Sequence, residues 1–211
     1  MKNRSSNLTF FCTSGKITKD NHYYINAFKS WKNIGINVML FGPDDEETKS
    51  ILEEYNIVWK KEPKLHGGSK LPILTDLLQQ ASSLCNTEYM CYINCDIIIF
   101  DEFLKTFDFL KTKYDDFFMV GQRWDWYESS MVNFKNKDDF DFQSKNMVLH
   151  SKTGVDYFVL KKEHIDKFDE ALLEEKVNKT LEESINFKKS NDELTREKVI
   201  SESTSDLADT E

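Results

Sequence analysis

The stretch YMCYINCDIIIFDEF, Tyr89 to Phe103, reads as a strand, a turn and the start of a helix. Tyr89 to Asn94 are apolar at nearly every position, as expected for a strand in the middle of a sheet covered on both faces. Asp96 then interrupts the apolar run before Ile97-Ile98-Ile99-Phe100. Asp101 stands where it can cap a helix whose inner face is Phe103, Phe107, Leu110 and Tyr114.

Working outward toward the N-terminus, strands and helices alternate. LTFFC (8–12) and INVMLF (36–41) are strands. Between them Tyr24, Ala27, Phe28 and Trp31 recur at helical spacing behind Asp20 or Asn21 as cap, and Gly35 ends the helix. A short helix with Ile51, Leu52 and Tyr55 inward leads to a third strand at Ile57–Trp59. The loop KEPKLHGGSKLP (61–72) precedes a helix over Leu74–Cys85. Such alternation with short connections specifies an α/β fold with a mostly parallel sheet between helical layers, a Rossmann-like three-layer sandwich.

Toward the C-terminus, FFMVG (117–121) and VDYFVL (155–160) read as strands, separated by a long polar connection over 122–150. A helical stripe of Ile165, Phe168, Leu172, Leu173, Val177, Leu181 and Ile185 follows. These patterns divide the chain into a core over 1–162, an amphipathic helix over 163–187 and an acidic tail over 188–211 expected to be disordered.

Composition supports a folded core and excludes some functions. The 211 residues are 39% hydrophobic and 13% aromatic, with only seven Gly and three Pro, which suits a globular protein. Lys and Arg number 28 against 37 Asp and Glu, giving −9. Residues 1–160 contribute 19 − 22 = −3 and residues 161–211 contribute 9 − 15 = −6. An acidic chain without a basic stripe is not expected to bind nucleic acid. No apolar stretch approaches the roughly 20 residues of a membrane span, and LTFF is too short for a signal-peptide core. The expected location is therefore cytoplasmic. Cys12, Cys85, Cys91 and Cys95 lie in apolar segments and read as buried reduced thiols.

The chemistry centres on Asp96. In open α/β sheets ligands bind beyond the carboxyl ends of the strands, where Asp96 sits. In an extended segment Asn94 and Asp96 point to the same side, offering oxygens to a hard divalent cation. The competing reading is that Asp96 accepts backbone hydrogen bonds in a tight turn. Spacing alone leaves both open. Arg123 and Asp125, after the strand FFMV, suit paired bonds to a phosphate or carboxylate, and Trp124 and Trp126 could stack on a sugar ring. Asp156 lies in an apolar strand, where it must either pair with Arg123 or face a cleft. Gly67-Gly68-Ser69-Lys70 lacks the spacing of a phosphate-binding P-loop.

CYINCDIIIFDEF resembles the strand and acidic motif of nucleotide-sugar-dependent glycosyltransferases with the GT-A type of fold. Their usual Asp-X-Asp reads Asn94-Cys95-Asp96 here, similar to a subgroup in which the last acidic residue meets the metal. FFCTSGKI (10–17), INAFKSW (25–31), INVMLFG (36–42), GGSKLPILTDLLQQA (67–81), GQRWDW (121–126) and GVDYFVLKK (154–162) resemble further blocks in the same order. The resemblance covers roughly residues 8–162.

It implies transfer of a sugar from a nucleoside-diphosphate sugar, with Mn2+ or Mg2+ held by Asp96 against the diphosphate. It places Thr13, Lys16, Gly67, Lys70 and Asn94 near the nucleotide and Arg123, Asp125 and Asp156 near the reacting centre. The resembling enzymes continue into a Gly/Trp/Asp/Asn-rich segment that completes the acceptor side. After Lys162 this chain turns instead to the amphipathic stripe, which also suits a protein partner or self-association. That departure leaves three expectations, namely a minimal transferase, a relative that only binds nucleotide sugars or partners, and a chain that is part of something longer.

Overall fold

The computed structural model describes residues 7–67, 71–126, 131–134, 147–151 and 155–165. Within them, β1 (Leu8–Thr13), α1 (His22–Ile34), β2 (Asn37–Gly42), α2 (Glu46–Glu54) and β3 (Ile57–Lys61) alternate as the sequence pattern requires. Then come α3 (Leu74–Leu84), β4 (Tyr89–Ile93), α4 (Asp101–Lys113) and β5 (Met119–Gly121). The pair β6 (Trp124–Asp125) and β7 (Val148–Leu149) precedes β8 (Tyr157–Lys161) and the single turn α5 (Lys162–Ile165).

The strands form a six-stranded sheet in the order β3-β2-β1-β4-β8-β5. The first four are parallel, with Phe10 opposite Val38 on one side and Cys91 on the other. The two final strands depart from this direction, because β8 runs antiparallel to both β4 and β5. The sheet is therefore mixed, parallel through β4 and antiparallel beyond it.

Alternation of side chains along the strands supplies both helical layers. Phe10, Cys12, Leu40 and Cys91 pack on one face with Ala27, Phe28 and Trp31 of α1 and Phe103 and Phe107 of α4. Phe11, Met39, Phe41 and Met90 pack on the other with Leu77, Leu78 and Ala81 of α3 and Ile165 of α5. All four cysteines are free and buried, as expected.

Helix ends differ in detail from the sequence reading. Asn21 is the N-cap of α1, but its Oδ1 accepts from the Thr18 backbone N–H at 2.8 Å rather than from the helix. The N-cap of α4 is Phe100, which leaves Asp101 as the first helical residue, where its charge complements the helix dipole. Gly35 closes α1 at φ 73°, a left-handed conformation that glycine adopts without strain, and its N–H bonds to the Trp31 carbonyl at 3.1 Å.

The strand expected over 117–121 contracts to Met119–Gly121, and that over 155–160 shifts to Tyr157–Lys161. The connection over 122–150 is not wholly irregular, since Trp124 and Asp125 pair with Leu149 and Val148. The amphipathic helix beyond Ile165 and the acidic tail lie outside the described residues. Among the described residues no helix is long and apolar enough to cross a membrane.

Candidate functional site

Because β1 and β4 are parallel neighbours, Thr13 and Asn94 leave the sheet at the same end. The chain then turns through Asp96 into Ile97–Phe100 before α4 begins. That turn is fixed from behind by α1. The buried Trp31 donates from Nε1 to the Ile97 carbonyl at 2.9 Å, and Ser30 Oγ accepts from the Ile99 N–H at 3.0 Å. The Ile97 N–H also bonds the Asn94 carbonyl at 3.2 Å. Asp96 is left exposed.

Asp96 opens into a cavity of about 690 Å³, whose walls include Ile97–Phe100, Phe103, Met119, Val120, Arg123, Trp124, Asp125, Trp126 and Tyr157. That volume falls in the usual range for small-molecule sites. The acidic motif thus meets Arg123 and Asp125 in one concavity. Although its side chain reaches solvent, partial desolvation by the cavity walls raises the Asp96 carboxyl above its ordinary value. The nearby Asp156 adds to that rise, and Arg123 and a hydrogen bond from the backbone of Asp96 oppose it.

Behind the cavity lies a charge cluster. Asp156 is 2% exposed, directly before β8. Its backbone carbonyl accepts from the Asn94 N–H at 2.9 Å, continuing the β4–β8 ladder. Its Oδ1 accepts from Asn94 Nδ2 at 3.0 Å and from Arg123 Nη1 at 2.5 Å, while its buried Oδ2 has no partner among the described residues. Arg123 also donates from Nε to Asp125 Oδ1 at 2.7 Å. The second Asp125 oxygen, Oδ2, lies 2.7 Å from His150 Nδ1. Arg123 and His150 together hold the Asp125 carboxyl below its ordinary value, and Asp125 above all raises Arg123.

Of the sequence candidates, Asp96, Arg123 and Asp125 line the cavity, with Asn94 and Asp156 packed behind them. Asp156 pairs with Arg123 rather than lining the cavity. Thr13, Lys16 and Gly67 are not among the residues that line it. Lys16 is exposed and pairs with Asp45 and Glu47 at 3.2 and 3.3 Å. Gly67 is exposed with open space around its Cα, and Lys70 lies outside the described residues. Trp124 is exposed at the cavity, whereas Trp126 is half-buried with an unpartnered indole N–H.

Sequence reasoning missed His150, Trp31 and Ser30. His150 is separated from Asp125 by 25 residues of polar connection, and no spacing links them. Trp31 and Ser30 read simply as helix positions, since their hydrogen bonds go to backbone atoms that no pattern announces.

No family model matches the sequence, and no curated protein does. Among solved structures, one similar chain is Staphylococcus aureus TarS 1-349, at 13% identity and TM-score 0.40 over 53% of this chain. The chain spans only 34% of that structure. A 4-diphosphocytidyl-2C-methyl-D-erythritol synthase from Anaerococcus prevotii gives 14% and 0.44, over 82% of this chain and 84% of its own. The mannosyltransferase PcManGT from Pyrobaculum calidifontis, in complex with GDP-Man and Mn2+, gives 12% and 0.43, over 77% and 46%. At these values the likeness decides neither activity nor substrate for this chain.

Proposed function

We propose that this chain is a GT-A-type glycosyltransferase that takes a sugar from a nucleoside-diphosphate sugar, with a divalent cation at Asp96. The observation that carries the reading is the convergence of Asp96, Arg123 and Asp125 on one cavity at the carboxyl end of β4. Among the described residues no group of three or more acidic, His or Cys side chains could hold a metal by itself. A hard cation that keeps one protein carboxylate and completes its shell with phosphate oxygens fits that donor set. Mn2+ or Mg2+ so held would neutralise the charge that develops on the departing diphosphate.

The chain's own residues divide the remaining work. Thr13, Lys16, Gly67 and Lys70 serve the nucleotide end. Asn94 holds Asp156, Asp156 holds Arg123, and Arg123 orients Asp125 toward the cavity. In the transfer, an acceptor hydroxyl oxygen bonds to the anomeric carbon as the bond to the diphosphate oxygen breaks; the leaving diphosphate keeps that electron pair, and the hydroxyl proton passes to the departing phosphate oxygen or to water. Asp125 is a weak proton acceptor because its carboxyl is held low, so its part is to position the ligand by hydrogen bonds.

A second reading, a relative that binds nucleotide sugars without transfer, is favoured by one observation. Arg123 and Asp125 are already engaged with each other and with Asp156 and His150. Calorimetric titration with UDP- and GDP-sugars, with and without Mn2+, separates the two. Transfer predicts Mn2+-dependent binding that disappears in Asp96→Asn, and slow donor hydrolysis in wild type alone. Binding without any turnover supports the second reading, binding indifferent to Asp96 sinks the transfer reading, and no binding of any nucleotide sugar sinks both.

A further inference from the structure

The strip Ile97-Ile98-Ile99-Phe100 has no role in the chemistry above, yet it lines the same cavity as Asp96. Ile97 and Ile98 are half-buried and Phe100 is 37% exposed. Val120 is 51% exposed and Trp124 is 59% exposed, and both line the cavity too. A run of large apolar side chains left in contact with water beside a carboxylate is costly, and such patches mark binding sites. The strip is also held in place, since Trp31 and Ser30 fix the backbone at Ile97 and Ile99. Fixing the backbone from behind reduces the ordering cost of receiving a ligand.

Thr13, Lys16, Gly67 and Asn94, assigned to the nucleotide, do not line this cavity. With Asp96 and its cation at one edge, the rest of the cavity is left for the transferred sugar and the acceptor. We infer that the acceptor is amphiphilic, a hydroxyl-bearing head at Asp125 joined to an alkyl group that seats along Ile97, Ile98, Phe100, Val120 and Trp124. This inference rests on the proposed transfer for the word acceptor, but the apolar seat is defined by the cavity alone.

The test uses the full chain with Mn2+ and UDP, titrated with methyl, hexyl and octyl β-D-glucosides below their micelle-forming concentrations. Binding should tighten roughly two- to fourfold per methylene that enters the seat, the upper figure corresponding to ~0.8 kcal/mol per buried CH2. Val120→Asn, at an exposed position on the edge strand, and Ile98→Asn, which add no charge beside Asp96, should each flatten that dependence while leaving UDP affinity within about twofold. Equal affinity for all three glucosides overturns the inference, as does a chain-length dependence that both variants retain. If UDP does not bind but the chain-length dependence is present and falls in the variants, the apolar seat stands and the transferase reading fails.

Discussion

At the scale of single residues, Asp96 and Asp125 sit in one cavity with carboxyls displaced in opposite directions. Burial raises Asp96, so above its unfolded value of about 3.9 its ionised form works against folding. Asp96→Asn should therefore leave the melting temperature unchanged or raise it, while removing cation-dependent nucleotide binding. A fall of several degrees would show that the carboxylate has a structural task instead. Asp125 is lowered by Arg123 and His150, so its contribution is complete above the unfolded value and lost only as pH falls through its lower folded value. On acidification Mn2+ binding should be lost first and the Arg123–Asp125 pair last. Mn2+ titration and near-ultraviolet circular dichroism of the neighbouring tryptophans, followed over the same pH series, check that order. Replacing Arg123 by Met would leave Asp156 buried beside Asn94 alone. Removing one partner of a buried pair costs about 3–5 kcal/mol, and the lower end applies because Arg123 is itself one-third exposed. Adding Asp156→Asn should restore part of the loss in urea unfolding.

At the scale of elements, the two turns that frame the site depend on small groups in tight places. Asp45 caps α2 by accepting from the Thr48 backbone N–H and hydroxyl, each at 2.9 Å. The Thr48 hydroxyl oxygen in turn accepts from the Ile17 N–H at 3.0 Å, so the cap also fixes the loop after β1. Asp45→Ala should lower the denaturant midpoint by removing this cap, whereas losing Lys16 from its exposed pairs should change it little. Gly121 ends β5 directly against Tyr157 of β8, and an added Cβ would overlap the ring. Gly121→Ala must push that ring aside, costing roughly 1–3 kcal/mol. Since Tyr157 lines the cavity, glycoside affinity should change together with stability.

At the scale of the whole molecule, the two-sided core makes the thiols a reporter of global opening. Cys12 and Cys91 are wholly buried and their thiols are raised well above the ordinary range by burial. Cys85 and Cys95 are buried as well. A thiol reagent should label none of the four in the native protein and all four in guanidinium, with labelling rates that follow unfolding. Rapid labelling of one cysteine alone would reveal a local opening that this packing does not suggest. The alternation of strands and helices was legible because each element carries its own periodicity, and Asp96 was legible because it breaks an apolar run. The direction and placement of β8 were not, since an apolar strand looks alike in either direction and its neighbours are chosen by tertiary packing. His150 was invisible for a related reason, because its link to Asp125 exists only once β6 and β7 pair.

The position of β8 also bears on how the chain is made. Among the described residues it is the last strand in sequence, yet it separates β4 from β5 and is the only neighbour β5 has in the sheet. As the polypeptide leaves the ribosome, β4 emerges with an apolar flank and β5 with no strand to join until Tyr157–Lys161 has been synthesised. The nascent protein therefore passes through an interval in which the cavity beside Asp96 lacks a wall and a sticky β-edge stands open to solvent or a chaperone.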